Sequence, residues 1–380
     1  MLQKNILLIL LAVCTAFIFS CEPEEQPVIP EKWERVRGFE EGLFDAREIN
    51  GKLYTASWTR IYPDASLQGP NNFVDLSPFL GAMAPYKVPI SDQLIAVKSP
   101  TRITILPSDD PKAENALVLN MKDIDAEFLE FNFGGNSKDD ELVIYPDGGI
   151  IIPYRSKNEG GIKNTPNFLW VKTGVEEGKV VLLETKLIKE EHFDRSVVVN
   201  NMKGFENFTR VSIGDKTFDI DRAGNMELRF EQQSKSVQVG EDIFTFTTTS
   251  PFENTLYRVY KSDLSGKNNQ LISTYASSNI AKWDNIVFSG TLSSLYSVNG
   301  IILLQSGWSI YKLSMDGQRF ALTELENNGL ENGDITSITL LSDSSVLVTA
   351  ICSDNGVFYN CGGFTKSLEN FFNPKENNPQ

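Results

Sequence analysis

The chain has 380 residues, with 50 acidic against 35 basic side chains and a formal charge of −15 at pH 7. An acid excess of this size argues against nucleic acid, whose phosphates are neutralised by Lys and Arg, and against broad contact with anionic lipid headgroups. The single histidine, His192, lies in the polar stretch Lys189–Phe193. It excludes a zinc site built on several histidines and follows no nucleophile-elbow pattern that would place it in a Ser-His-Asp triad. No Walker loop and no dinucleotide fingerprint are present.

The first element is an export signal. Lys4 precedes an apolar run from Ile6 to Phe19, 14 residues long and so shorter than the roughly 20 a spanning helix needs. The run ends in Ile18-Phe19-Ser20-Cys21. A small residue directly before a cysteine resembles the lipobox of bacterial lipoproteins, although Phe19 stands where that pattern has a small residue. The resemblance implies cleavage after Ser20, acylation of Cys21 and anchoring in the cell envelope. Several acyl chains on one cysteine suffice for stable membrane attachment. Residues 21–34 then read as a tether, acidic and broken by Pro23, Pro27 and Pro30. Its Glu22, Glu24 and Glu25 resemble the acid-rich segment that sends some lipoproteins to the outer face of the outer membrane. Loss of Lys4 with the leader takes the formal charge from −15 to −16.

From residue 35 to 372 no long helical period appears. Short apolar or alternating runs closed by Gly, Asp, Asn and Pro recur instead, which is the signal of strands and turns. Six runs climb from a turn residue into a strand apolar on both faces: 51–57, 92–97, 148–153, 241–246, 299–304 and 343–348. Hairpin partners precede them, as in Leu142–Tyr145 and Ile335–Leu341. Third strands follow at Phe168–Lys172, Leu256–Tyr260 and Ile310–Leu313, and fourth strands at Val180–Glu184, Asn269–Ser273 and Phe320–Leu325.

Four antiparallel strands repeating every roughly 40 to 60 residues predict an all-β fold, a β-propeller of six to seven four-stranded blades. A lone four-stranded sheet cannot bury both faces, whereas blades stacked about an axis cover one another and leave only short edges. The alternative is a pair of β-sandwiches. Residues 208–231 interrupt the rhythm, either as a degenerate seventh blade or as a hairpin inserted in a six-bladed ring. Tyr311–Gly317 and Gly333–Ile338 resemble phrases of exported bacterial propellers, lipoproteins and sensor-type propellers among them, a resemblance spanning residues 35–370. Residues 373–380 read as a polar tail.

Candidate chemistry is sparse. Cys352 and Cys361 flank the turn Ser353–Gly356 and face an oxidising compartment, so they are candidates for a disulfide or for two buried thiols. The acidic pairs Asp109–Asp110, Asp139–Asp140, Glu190–Glu191 and Glu241–Asp242 have no spacing that singles out a general acid and base. No catalytic residue is assigned. Asp219–Gly224 opens like a calcium loop, but Ala223 stands where an oxygen ligand belongs, so a hairpin turn is the better reading. No cofactor is indicated by a complete motif; calcium elsewhere stays open.

The positive signal is aromatic. Trp58 and Trp308 occupy the same place in two repeats, just after the apolar strand, at the turn into the third. Loops at that turn gather on one end of a propeller, where Arg155, Lys157 and the Ser156–Thr165 loop also belong. The four residues form a candidate platform for a sugar ring or a peptide side chain; the competing role for the tryptophans is packing between blades. The first functional expectation is therefore a lipid-anchored binding or scaffold protein of the cell surface, facing a glycan, peptide or outer-membrane protein. The others are a glycan- or peptide-degrading enzyme using propeller-face carboxylates, and an accessory subunit of an outer-membrane uptake or secretion complex. The lack of a usable nucleophile or metal motif tilts the choice from enzyme to binding.

Overall fold

The computed structural model describes residues 31–36, 45–57, 59–63, 73–80, 90–131, 142–157, 164–189, 199–248, 256–276, 293–316, 319–330, 333–354 and 357–375. They form seven antiparallel sheets around a ring, a seven-bladed β-propeller. Strand β1 (Glu34–Arg35) comes first in the chain but belongs to the last blade. Blade one holds β2 (Asp45–Ile49), β3 (Lys52–Ala56), β4 (Arg60–Tyr62) and β5 (Val74–Asp75) in that order. Blade two holds β6 (Leu94–Lys98), β7 (Arg102–Pro107) and β8 (Leu117–Asn120), and the bridge between Ile90 and Ile95 marks the inner neighbour of β6.

Blade three is the largest. After β9 (Phe128–Phe131) come β10 (Val143–Ile144), β11 (Gly149–Lys157), β12 (Asn164–Glu176) and β13 (Lys179–Lys189). β9 extends the sheet by pairing with the far end of β11. Blade four is β14 (Val199–Gly204), β15 (Phe208–Ile213), β16 (Lys216–Asp221) and β17 (Met226–Phe230); blade five is β18 (Ser234–Val239), β19 (Asp242–Thr248), β20 (Leu256–Asp263) and β21 (Gln270–Ala276). Blade six is β22 (Ser293–Val298), β23 (Ile301–Ser306), β24 (Ser309–Asp316) and β25 (Arg319–Glu324). Blade seven is β26 (Gly333–Leu340), β27 (Ser345–Asp354) and β28 (Val357–Ser367), completed by β1 on the outer edge of β28.

The first strands of neighbouring blades lie side by side around the axis, β2 beside β26 and β18 beside β22 among them. The six apolar runs read from sequence are the second strands, covered on both faces by adjoining blades. The buried residues Ile150, Ile151 and Ile152 of β11 show the pattern. Blade four is a complete, compact blade and not an inserted hairpin. Its second strand is β15, whose Thr209, Arg210 and Ser212 are buried polar side chains, so the apolar signature is missing. Its third strand, β16, follows β15 through a tight turn that pairs Ile213 with Lys216.

Ring closure links distant sequence. Glu34 pairs with Thr365 and Arg35 with Phe364. Trp33 and Glu34, at the end of the stretch read as a tether, are thus ring residues, and Trp33 is buried against Phe371 with ring centroids 5.8 Å apart. Blades one and seven are also joined near the axis: the Ala46 amide donates to Ser337 Oγ at 3.2 Å and the Thr339 hydroxyl donates to the Ala46 carbonyl.

Turns on blades four and five each clamp an aromatic of the preceding blade. Trp170 of blade three donates its indole N–H to the Arg222 carbonyl at 2.8 Å, in the β16–β17 turn of blade four, and packs on Gly224. Phe208 of blade four packs in the same way on Gly266 in the β20–β21 turn of blade five. Both glycines have positive φ (+70 and +68), which a side chain would strain, and a Cβ at either would press into the ring.

Candidate functional site

In an antiparallel blade, the turns after the first and third strands fall at one end of the ring, and the turns after the second at the other, with the inter-blade connections. Trp308 sits at this second end. Ser306 pairs with Ser309, leaving Gly307 and Trp308 as a two-residue hairpin loop. Gly307 has φ +58, the left-handed conformation that such tight loops require and that glycine adopts without strain. A side chain at the tip of so short a turn has little protein to cover it, and Trp308 is 43% exposed. It does not act as a wedge buried between blades.

Trp308 has charged company. Glu324, at the end of β25, accepts a hydrogen bond from the Ser309 hydroxyl at 3.4 Å and pairs with Lys375 Nζ at 2.8 Å. The same ammonium lies 5.7 Å from the centre of the Trp308 ring, within the range of cation–π attraction. Hydrogen bonding to Glu324 holds the Lys375 pKa above its ordinary value. Sequence reasoning found Trp308 but neither of these partners, because Glu324 and Lys375 are 51 residues apart.

Of the remaining platform candidates, Arg155 and Lys157 do not join it. Trp58 lies outside the described residues. Arg155 and Lys157 are on blade three, three blades round the ring from Trp308, and belong to strand β11 and not to a loop. Arg155 is held in an ion pair with Glu130 of β9, Nη1 to Oε1 3.1 Å. Lys157 is exposed at the strand end, opposite Asn164. The strands of this hairpin take residues 156, 157, 164 and 165 of the loop expected over Ser156–Thr165; residues 158–163 lie outside the description. Arg155 and Lys157 therefore do not share a patch with Trp308.

The opposite end of the ring carries a cavity of about 170 Å³ that sequence reasoning did not find. It opens where first strands of blades one, three and four converge with Ile90, and Arg47 and Lys203 lend positive charge to a lining that includes Val143, Tyr145 and Phe205. Arg47 Nε is paired with buried Asp45 Oδ2 at 3.2 Å. Tyr145 points its hydroxyl away into the blade, 2.6 Å from Thr209 Oγ1, and burial raises its pKa. The signal for this site was weak because β14, Val-Asn-Asn-Met-Lys-Gly, has no apolar run.

One carboxylate of each described acidic pair is engaged structurally. Asp110 pairs with Lys112 at 2.9 Å, and Asp242 with Lys261 at 2.8 Å. Asp221 closes a hairpin turn, its Oδ1 accepting the Ala223 and Asn225 amides at 2.9 and 2.8 Å, as expected for Asp219–Gly224. Among the described residues, no group of three His, Cys, Asp or Glu side chains is arranged to hold a metal ion. Asp139–Asp140, Glu190–Glu191, His192 and Cys21 lie outside the described residues. The β27–β28 register pairs Cys352 with Tyr359 and leaves Cys361 at the bulge beside Ala350 and Ile351, so the cysteines are diagonal neighbours and not direct partners. Their side chains lie outside the description.

No protein-family model matches the chain, and no curated protein matches it in sequence. Solved structures show distant likeness. One is PorZ, an essential bacterial surface component of the type-IX secretion system of Porphyromonas gingivalis, at 12% identity over 87% of this chain and 39% of that one, TM-score 0.43. Another is the extracellular domain of the one-component system BT4673 of B. thetaiotaomicron, at 9% identity over 88% of this chain and 39% of that one, TM-score 0.46. A third is the Pyrococcus horikoshii acylaminoacyl peptidase, at 9% identity over 89% of this chain and 54% of that one, TM-score 0.47. The chain thus spans about two fifths of the first two, and the propeller assignment rests on its own sheet order. Among the described residues no helix is long and apolar enough to cross a membrane.

Proposed function

We propose that the protein is a binding or scaffold propeller of the cell surface, held to the outer membrane by lipid on Cys21 and presenting the Trp308 end of the ring to a glycan, peptide or protein partner. The observation that carries this reading is the exposed indole at the tip of a rigid two-residue turn, flanked by Glu324 and Lys375. An aromatic face fixed by strands contributes contact area at little entropic cost on binding. The signal-like segment ending at Cys21 supports a location outside the cell for that face, with residues 21–32 as its spacer in this proposal.

The test is a screen of the mature protein against arrayed glycans and peptides, with Trp58→Ala and Trp308→Ala alongside. Loss of Trp308 is expected to weaken a ligand recovered in the screen by about tenfold or more, as removal of an interface aromatic does. A ligand untouched by either substitution sinks the platform reading, and turnover of a polysaccharide or peptide replaces binding with catalysis. Cys21→Ser is expected to release the protein from membranes or leave an unprocessed precursor; unchanged attachment removes the anchor from the proposal.

A further inference from the structure

We infer that Trp308 and Glu324 form a lysine-reading site, occupied in this chain by its own C-terminal segment, and that an extended lysine-bearing segment of a partner protein takes the same place by displacing it. The inference rests on the reading of Trp308 as a recognition residue.

Three features of the molecule carry it. After the buried Phe371, the chain turns back and lays Asn373–Lys375 antiparallel to Glu324–Glu326. The Lys375 amide donates to the Glu324 carbonyl and the Glu326 amide donates to the Asn373 carbonyl, both at 2.9 Å, with Leu325 opposite Pro374. This is strand addition to the short outer edge that continues β25, the way many domains capture extended peptides. Pro374 fits because its missing N–H faces away from the pair, where it also blocks a further strand.

The side chain then supplies selectivity. An ammonium between a carboxylate and an indole face answers two features of Lys375 at once: the charge meets Glu324 at 2.8 Å, and the ring centre lies 5.7 Å away. The backbone bonds accept many sequences, whereas the cation requirement does not. An acidic protein also draws a cationic segment toward it.

Finally, the occupant is shallow. Lys375 retains 40% of its side-chain exposure and the pairing spans three residues, in contrast to Phe371, which is fully buried. Surface ion pairs and exposed cation–π contacts are weak individually. The segment is thus held firmly enough to be ordered and loosely enough to be exchanged.

The experiment uses the full mature chain and its Lys375→Gln variant, titrated with a synthetic peptide of the sequence of residues 372–378. Binding is read from the indole ¹⁵N–H resonance of Trp308, assigned with Trp308→Phe. The variant is expected to bind the peptide at least about tenfold more tightly than the parent chain, because its own segment has lost the side-chain contact. A peptide carrying Gln in place of the lysine, or a Glu324→Gln substitution in the variant, should reverse that gain. A chain ending at Phe372 provides a second, stronger unmasking. Equal affinity of parent and unmasked chains, or no binding by either unmasked chain, overturns the inference. Indifference to the lysine reduces the site to backbone pairing and overturns it too. A glycan that needs Trp308 while the peptide fails would leave the proposed function standing and remove only this inference.

Discussion

Between blades two and three, buried Leu94, Ile103 and Ile105 meet Ile150, Ile152, Leu169 and Val171 in one continuous apolar layer. Between blades four and five the apolar cluster shrinks to Phe205, Phe208 and Ile243 with Leu264 at its edge. The middle of that junction is occupied by Arg210, whose Nε and Nη2 reach Asp219 at 2.7 and 2.8 Å while Nη1 crosses to Thr245 of blade five at 2.6 Å. Arg229 adds a bond to Asp219 at 3.0 Å, and the Arg210 guanidinium lies 5.0 Å from the centre of the Phe208 ring. Both junctions close the same ring, one chiefly by area and one by a charge network that fixes which groups must face each other. Area tolerates replacement; a buried charge does not tolerate the loss of its partner.

The largest effect should therefore come from Asp219→Ala. It strands Arg210, whose side chain is 3% exposed, and removes a partner of Arg229. A loss of about 4 kcal/mol is expected, the scale for breaking a buried pair by removing one member, read as a lowered urea midpoint. Replacing both members, with Arg210→Met and Asp219→Leu together, should restore most of it, because no unpaired charge remains. A double variant as unstable as the single one would show that the network does more than neutralise itself.

At the apolar junction, Ile152→Ala is the matching cut. The residue is fully buried in β11, and its truncation is expected to cost about 3 kcal/mol through lost transfer energy and the cavity left behind. A conservative Ile152→Val should cost about 1 kcal/mol. No such gentle intermediate exists at Asp219: Asn keeps the shape but not the charge. If the two series give the same graded response, the distinction between the junctions fails.

These junctions also explain what could be read from sequence. Second strands announced themselves wherever both faces were apolar, which is why six of them, and the propeller, were legible. Blade four was ambiguous because its second strand carries Thr209, Arg210 and Ser212, and only the fold shows that Asp219 and Thr245 satisfy the arginine. Ring closure through Glu34 and Arg35 was hidden for another reason: a two-residue strand paired with Thr365 and Phe364 leaves no local pattern. At the candidate site, Trp308 was legible as an aromatic in a turn, whereas Glu324 and Lys375 needed the third dimension. Arg155 and Lys157 were grouped with it by topology alone, and the ring sets them on another blade.

A smaller effect tests the turn that clamps Phe208 at the polar junction. A methyl group at Gly266 would lie 2.7 Å from the Phe208 ring, and φ there is +68. Gly266→Ala should cost about 1–3 kcal/mol, from overpacking together with backbone strain. Combined with Phe208→Leu, which makes room, part of that cost should disappear. A fully additive pair would mean that strain alone is responsible and that the aromatic clamp contributes nothing to the junction.

The smallest effect at neutral pH is expected where the apolar junction carries its own buried acid. Asp125, in the connection from blade two to blade three, accepts the Tyr154 hydroxyl at 2.8 Å and the Glu127 amide at 3.0 Å, and lies 3.2 Å from Lys189 Nζ. Burial favours its neutral form, but these donors together outweigh burial and hold its pKa below the ordinary carboxylate value. A carboxyl whose pKa is lowered on folding contributes stability above its unfolded value and loses that contribution as pH falls toward the folded one. Asp125→Asn keeps one oxygen to accept the Glu127 amide and puts an NH2 where the other oxygen met Tyr154, whose hydroxyl oxygen can accept in turn, so its cost at pH 7 should be modest while the acid limb flattens below about pH 4. An acid limb identical in parent and Asp125→Asn proteins would mean that the apolar layer alone holds blades two and three together across the pH range, and that the charge beside it is incidental.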